Sequence, residues 1–265
     1  MDIPQFFLSD LLKLNICLDD EQLAQFMRYI ELLMASNKRM NLTSITERNE
    51  ICKKHFIDSL ALVNYGIFAG GSQAPNINII DVGSGAGFPG IPLKIAFPRL
   101  DVTLLDAREK RVAFLDHVIG ELGLAGIRAV HSRAEDMARL PAYRDGFDLC
   151  VSRAVAQLFV LAEYCLPFVK RGGLFVAYKA NGDGAGGGIR ESNIAAKGHG
   201  LARELAEAEK HVALLGGRFD RCVEYDLPHS DIARVLVGIS KVSPTPDKFP
   251  RRAGMAAKGR GRGLT

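Results

Sequence analysis

The stretch Asp81-Val82-Gly83-Ser84-Gly85-Ala86-Gly87-Phe88-Pro89-Gly90 constrains this chain more than any other. Before it, Asn76-Ile77-Asn78-Ile79-Ile80 is a short apolar run of strand type. After it, Ile91-Pro92-Leu93-Lys94-Ile95-Ala96-Phe97 reads as a helix with prolines near its start, where a missing N–H does no harm. Strand, glycine turn and helix in this order let a ligand lie against bare backbone beside the free N–H groups of a helix N-terminus.

Two acids narrow the ligand. Asp81, on the last residues of the strand, suits a ligand carrying an ammonium and a sulfonium and suits a pyrophosphate badly, which favours S-adenosylmethionine. Asp106 closes a second buried run, Val102-Thr103-Leu104-Leu105-Asp106, and lies 23 residues after Gly83, where it is placed to bind ribose hydroxyls. A nicotinamide dinucleotide would use that acid too, so Asp106 identifies a ribose and not the cofactor. A turn that only packs helix on strand is the competing reading, and the paired acids speak against it.

The whole chain has 265 residues and 48% hydrophobic content, enough to bury a full core. Its net charge of +4 is unevenly placed. Residues 248–265 hold six basic residues and no acid, leaving 28 basic against 30 acidic elsewhere, so the body is not a general polyanion binder. The five cysteines form no CxxC pair, which argues against zinc and disulfides and fits a reducing cytoplasm. No metal site is visible, and no targeting segment or membrane span is expected.

Residues 1–70 read as helical. Asp20 can cap a helix whose apolar face runs Leu23, Phe26, Met27, Ile30, Leu33 and Met34, with Asn37 at its end. A second helix is expected from about Thr46 to Val63, carrying Lys53, Lys54 and His55 with Asp58 one turn on. From Ile79 strands alternate with helices, which predicts a parallel sheet with helices on both faces. Strands are expected at 78–82, 102–106, 127–131, 147–151, 173–179, 222–226 and 233–241. Helices are expected at 89–97, 108–122, 134–139, 155–166 and 201–215.

Ligands in such sheets sit at the carboxyl ends of the strands. Those ends carry Asp106-Ala107-Arg108, then Arg133-Ala134-Glu135, where an acid could frame an adenine, then Ser152-Arg153-Ala154 and Tyr178-Lys179. Arg153 and Lys179 are the candidate catalytic residues, in a positioning role. No Asp-Pro-Pro-Tyr type tetrapeptide follows the fourth strand, and no cysteine stands just beyond the fourth or fifth. Transfer of a sulfonium methyl to an available lone pair, such as guanine N7, needs neither nucleophile nor base.

Met40-Asn41-Leu42-Thr43-Ser44-Ile45, Lys54-His55-Phe56-Ile57-Asp58-Ser59, the Asp81–Gly90 turn, Asp106 with Lys110-Arg111, Ser132-Arg133-Ala134-Glu135, Ser152-Arg153-Ala154 and Tyr178-Lys179 occur together. In these motifs the chain resembles the RsmG (GidB) family of bacterial small-subunit ribosomal RNA guanine-N7 methyltransferases, from about residue 20 to 255. The resemblance implies an α/β fold of the class I S-adenosylmethionine-dependent methyltransferases. That fold is a Rossmann-like seven-stranded sheet with the last strand antiparallel, behind an N-terminal helical cap. It implies cofactor contacts at Gly83, Phe88, Asp106, Ala107, Arg108, Ala134, Glu135 and Arg153, to which the reading of the turn adds Asp81 and Gly85. It places Asn41, His55, Asp58, Arg133, Arg153 and Lys179 around the cofactor and target-base region.

The expected organisation is a cap at 1–70, a methyltransferase domain at 71–243 and a basic, disordered tail at 244–265. Five glycines between Gly182 and Gly188 predict a flexible loop within 180–200, read as a neutral insertion. Lys248, Arg251 and Arg252 suit RNA phosphates and Phe249 a stacked base. The expected partner is small-subunit ribosomal RNA, with no membrane, and the expected state is a monomer. Methyl transfer to a protein or small molecule, and a non-catalytic RNA-binding module, stay open as alternatives.

Overall fold

The computed structural model describes residues 3–68, 76–153, 156–180, 190–192 and 199–258. Most of the glycine-rich stretch, Ala154 and the last seven residues lie outside them.

Eight strands form one sheet: β1 (Asn78–Val82), β2 (Asp101–Asp106), β3 (Ile127–His131), β4 (Phe147–Arg153), β5 (Val169–Ala180), β6 (Arg190–Ser192), β7 (Gly217–Asp226) and β8 (Ala233–Lys241). Their order is β3-β2-β1-β4-β5-β8-β7-β6, with the first five parallel and β8 antiparallel to both its neighbours. This is the expected seven-stranded sheet plus β6, a three-residue edge strand antiparallel to β7. Only the central strands read as apolar runs, because both their faces are covered.

Two apolar clusters, one on each face, hold the sheet. The first joins Leu104, Val151, Val176 and Tyr178 to the N-terminal helices Gln5–Lys13 and Asp20–Met40 and to helices Gly90–Ala96 and Glu109–Glu121. The N-terminal helices therefore share the sheet's core. At its centre Phe26 and Phe56 pack at 4.9 Å between centroids, Tyr29 stacks on Phe56, and Tyr29 also reaches Phe88 of the glycine turn at 5.5 Å. The second cluster joins Cys150, Phe175 and Val237 to helices Leu158–Cys165 and His199–Leu214 and to Phe249.

Helix Asp20–Met40 is capped one residue before the expected cap, Asp20, and ends later than expected. Asp19 closes a capping box with Gln22, and the helix runs past Asn37 until Asn41 turns left-handed at φ 49°. Asn37 instead grips the next turn, its side chain bonding both the N–H and the carbonyl of Thr43. The second helical run is broken into types: α at Arg48–Ile51, π at Cys52–Ile57, α at Asp58–Leu60 and 3₁₀ at Ala61–Tyr65. The π segment carries His55. Such segments re-aim side chains and gather at functional sites.

The tail differs most from expectation. Residues 245–258 strap the molecule instead of leaving it. The buried Lys241 ammonium donates to Thr245 Oγ1 at 2.8 Å, and Thr245 Oγ1 donates to the Leu215 carbonyl. The Arg144 guanidinium donates to the carbonyls of Thr245 and Phe249. Phe249 is 1% exposed, so it is a core residue and offers no face to a base. Arg251 binds the buried Glu163 carboxylate through Nε and Nη2. Basic composition suggests a free tail, but donors (Lys241, Arg144) and acceptors (Glu163, the Leu215 carbonyl) on the body hold it, while Lys248 and Arg252 stay exposed.

Burial pushes the Glu163 carboxyl up, but hydrogen bonds from His211 and Arg251 outweigh this and hold it at about 2. A carboxylate depressed on folding stabilises above its unfolded value of about 4.3, and loses that contribution as pH falls towards 2. Arg251→Ala is expected to lower the melting temperature at pH 7 and to flatten the acid limb of stability against pH. Thermal melts from pH 7 to pH 3 check this; an acid limb as steep as the wild type's would contradict it.

Candidate active site

The glycine turn is built from the strand ends inward. Gly83 N–H and Ser84 N–H both donate to the Leu105 carbonyl, tying the turn to β2. Gly83, Gly85 and Gly87 have φ of 77°, 61° and 100°, a region that side-chain-bearing residues rarely adopt. A Cβ on Gly87 would lie 2.5 Å from Ile91 Cδ1 and 2.6 Å from the Tyr29 hydroxyl. A Cβ on Gly85 would meet nothing closer than a carbonyl oxygen at 3.9 Å. Gly87 therefore serves packing, and Gly85 keeps open space beside a ligand.

Asp81 is wholly buried below the turn. Its Oδ2 accepts the Gly90 N–H at 2.9 Å, and among the described residues its Oδ1 has no hydrogen-bond partner. Burial pushes this carboxyl up to about 7, against the pull of the Gly90 N–H and the Arg153 charge. Asp106 is held by backbone, its Oδ2 accepting from Gly85 N–H and its Oδ1 from Arg108 N–H, both at 2.9 Å. Arg111 Nη1 adds a 3.3 Å contact. A carboxylate accepts about four bonds, so about one acceptor site of Asp106 stays open beside the turn.

A cavity of about 470 Å³ lies over the turn, walled by Gly83, Gly85, Phe88, Asp106, Ala107 and Arg108, with Thr43, His55 and Arg153 opposite. A second cavity of about 330 Å³ adjoins it, lined by Lys54, Asp58, Tyr178, Lys179 and Arg234. His55 and Arg153 line both cavities.

The shared wall is tightly fixed. Arg153, the last residue of β4, donates to Asp58 Oδ2 at 2.8 Å, to the Lys54 carbonyl at 3.2 Å and to His55 Nδ1 at 3.2 Å. Because a guanidinium only donates, His55 Nδ1 accepts and Nε2 carries the proton, which goes to Thr43 Oγ1 at 2.8 Å. Burial, then the Arg153 charge, push His55 down to about 3, so the imidazole is neutral at neutral pH. It stacks on Phe88 at 4.4 Å, and Arg153 lies 5.1 Å over the same ring. Asp58 is balanced further by the Tyr225 hydroxyl at 2.8 Å and by Arg234 at 3.5 Å.

The expected residues thus separate. Gly83, Gly85, Phe88, Asp106, Ala107, Arg108, Arg153, His55, Asp58 and Lys179 line the two cavities, with Asp81 beneath them. Asn41 caps its helix and is exposed, leaving its neighbours Leu42 and Thr43 to line the wall. Glu135 is buried against Tyr164 and Gly254 N–H. Arg133 is exposed at the N-cap of helix Ala134–Met137, and neither it, Ala134 nor Glu135 lines a described cavity wall. Thr43 and Arg234 were not singled out from the sequence.

Among the described residues no group of His, Cys, Asp and Glu could hold a metal ion, and no helix is long and apolar enough to cross a membrane. The sheet order with β8 reversed, the glycine turn and its two acids define a class I methyltransferase, and S-adenosylmethionine is its cofactor. The open space at Gly85, the unpartnered oxygen of Asp81 and the anchored Asp106 fit that cofactor.

Residues 22–185 match the family described as rRNA small subunit methyltransferase G, and the chain belongs to that family. The ribosomal RNA small subunit methyltransferase G of Lactococcus lactis is 42% identical over 96% of this chain and 98% of its own length. The Acetivibrio thermocellus protein of the same name is 44% identical over 92% of this chain and 90% of its own. A Corynebacterium glutamicum protein of known structure shares the fold at TM-score 0.50 and 16% identity, covering 91% of this chain and 98% of that one. The chain is a ribosomal RNA methyltransferase.

Proposed function

We propose that this enzyme transfers the methyl group of S-adenosylmethionine to N7 of a guanine in small-subunit ribosomal RNA. The observation that carries the reading is the pair of adjoining cavities with Arg153 and His55 as their shared wall. One cavity takes the cofactor on the glycine turn and the other a flat base. When bound, the cofactor supplies a sulfonium methyl that passes to a lone pair while the C–S bonding electrons return to sulfur, so no proton need be removed. Guanine N7 offers such a lone pair. The wall matches that requirement, because the His55 ring nitrogens are both engaged and both oxygens of the Asp58 carboxylate are paired, with Arg153, Tyr225 and Arg234. Among the described residues no group there is poised as a general base. The residues act by position, which by itself can supply a large part of a barrier reduction.

Incubation with labelled S-adenosylmethionine and unmethylated small subunits, followed by nucleoside digestion, tests this. Label in 7-methylguanosine is expected. Label in another nucleoside, or only in protein, would overturn the reading.

Asp81 gives a second expected result. The buried acid is half protonated near pH 7, and a cation over the turn favours its charged form. Cofactor affinity should rise with pH through about 7, with a proton released on binding below that pH. Isothermal titration in buffers of different ionisation enthalpy measures the proton; no release at pH 6 would contradict the linkage.

A further inference from the structure

Lys179 ends its side chain in the smaller cavity, and nothing in the methyl-transfer step uses it. Its ammonium has three donors. One goes to Glu204 Oε1 at 2.7 Å and one to the Ala156 carbonyl at 3.2 Å. Glu204 comes from helix His199–Leu214, and its Oε1 also accepts the Leu158 N–H at 2.5 Å, at the start of helix Leu158–Cys165. One carboxylate oxygen therefore clamps the end of β5, the segment after β4 and a helix on the far face of the sheet. Both side chains are mostly buried, at 16% and 20% exposure.

The other cationic groups of this cavity are differently committed. Arg153 and Arg234 face Asp58, and Lys54 faces Glu50 at 2.6 Å. Among the described residues the third N–H of Lys179 has no partner.

On the guanine-N7 reading, we infer that Lys179 donates to O6 of the target base and that Glu204 is the positioning residue that holds it there. The chemistry selects guanine at that atom, since adenine presents a donor amine where guanine presents an acceptor. It also explains why the lysine is paired. The base becomes cationic as N7 takes the methyl, and a lone ammonium beside it would oppose that charge. A lysine–glutamate pair has no net charge, so it reads O6 while adding little repulsion.

The experiment replaces the mapped target guanine by 2-aminopurine, which keeps N7 and lacks O6. With the wild-type enzyme, kcat/KM should fall about ten- to a hundredfold, the loss of one hydrogen bond to a charged donor. In Lys179→Met both substrates should be slow and their ratio should collapse towards one. In Glu204→Gln, kcat should drop about tenfold with the KM for RNA little changed, and Glu204→Asp should recover part of it. Thermal melts accompany each variant, and the Glu204 pair keeps the inference testable if Lys179→Met does not fold. A full O6 penalty in Lys179→Met, or none in the wild type, would overturn the inference. A wild-type enzyme that makes no 7-methylguanosine would instead overturn the proposed function.

Discussion

Arg153→Ala is expected to lose about 10²-fold in methyl transfer and several degrees of melting temperature together. The guanidinium is the hinge of the wall between the two cavities, bonding Asp58, the Lys54 carbonyl and His55 at once. Removing it leaves the nearly buried Asp58 with only the Tyr225 hydroxyl and the more distant Arg234. Breaking a buried pair by deleting one partner costs about 3–5 kcal/mol. The His55 ring loses the donor that fixes its tautomer and with it its register on Phe88. A shift of about 1 Å in such a wall is worth about 10²-fold in rate. Arg153→Lys separates the two effects. A point ammonium restores charge to Asp58 but cannot reach three acceptors, so stability should recover more than rate. Melting curves and single-turnover rates on the same preparations decide it. An Arg153→Ala enzyme with wild-type turnover would remove the shared wall from the account.

The glycine turn yields the second large effect, as a contrast between two substitutions two residues apart. Gly87→Ala forces a methyl into Ile91 and the Tyr29 hydroxyl at a φ of 100°, and should cost about 2–4 kcal/mol. It should also disturb the bond from the Tyr29 hydroxyl to the Ala86 carbonyl. Gly85→Ala meets no neighbour, and its φ of 61° costs only about 1–2 kcal/mol. Its methyl enters the cavity over the turn, where we propose the cofactor binds. Gly85→Ala should therefore fold and bind S-adenosylmethionine at least tenfold more weakly. Gly87→Ala should melt early and lose binding only as far as it unfolds. Calorimetric titration beside thermal melts separates them; equal cofactor affinity in Gly85→Ala and wild type would mean that the turn is a packing device.

The strand ends were legible because parallel strands buried on both faces are apolar runs that stop at a charged residue, as at Asp106 and Arg153. The helix boundaries near 90, 109 and 134 followed from the same alternation. Arg234 escaped notice because it begins a strand. β8 runs antiparallel, so its start, paired at Arg234 with Ala180, lies at the same edge as the carboxyl ends of the others. That edge rule, applied to the reversed strand, would have found it. Thr43 and Asn41 illustrate another limit. Sequence places them side by side, but only the left-handed turn at Asn41 and the grip of Asn37 on Thr43 decide which one faces the wall. The strap at 245–258 was unreadable from composition, because its basic and proline-rich segment is ordered by Arg144 and Glu163, both far from it in sequence, and by the buried Lys241 just before it.

On the proposed function, one guanine N7 of small-subunit ribosomal RNA receives the methyl. Small subunits lacking N7 methylation, treated with enzyme and S-adenosylmethionine, can be probed by borohydride reduction and aniline cleavage, which cuts the chain at 7-methylguanosine. A single new cleavage in the small-subunit RNA is expected, absent when Arg153→Ala enzyme is used. Methyl incorporation without cleavage would place the group on another atom and contradict the proposed function.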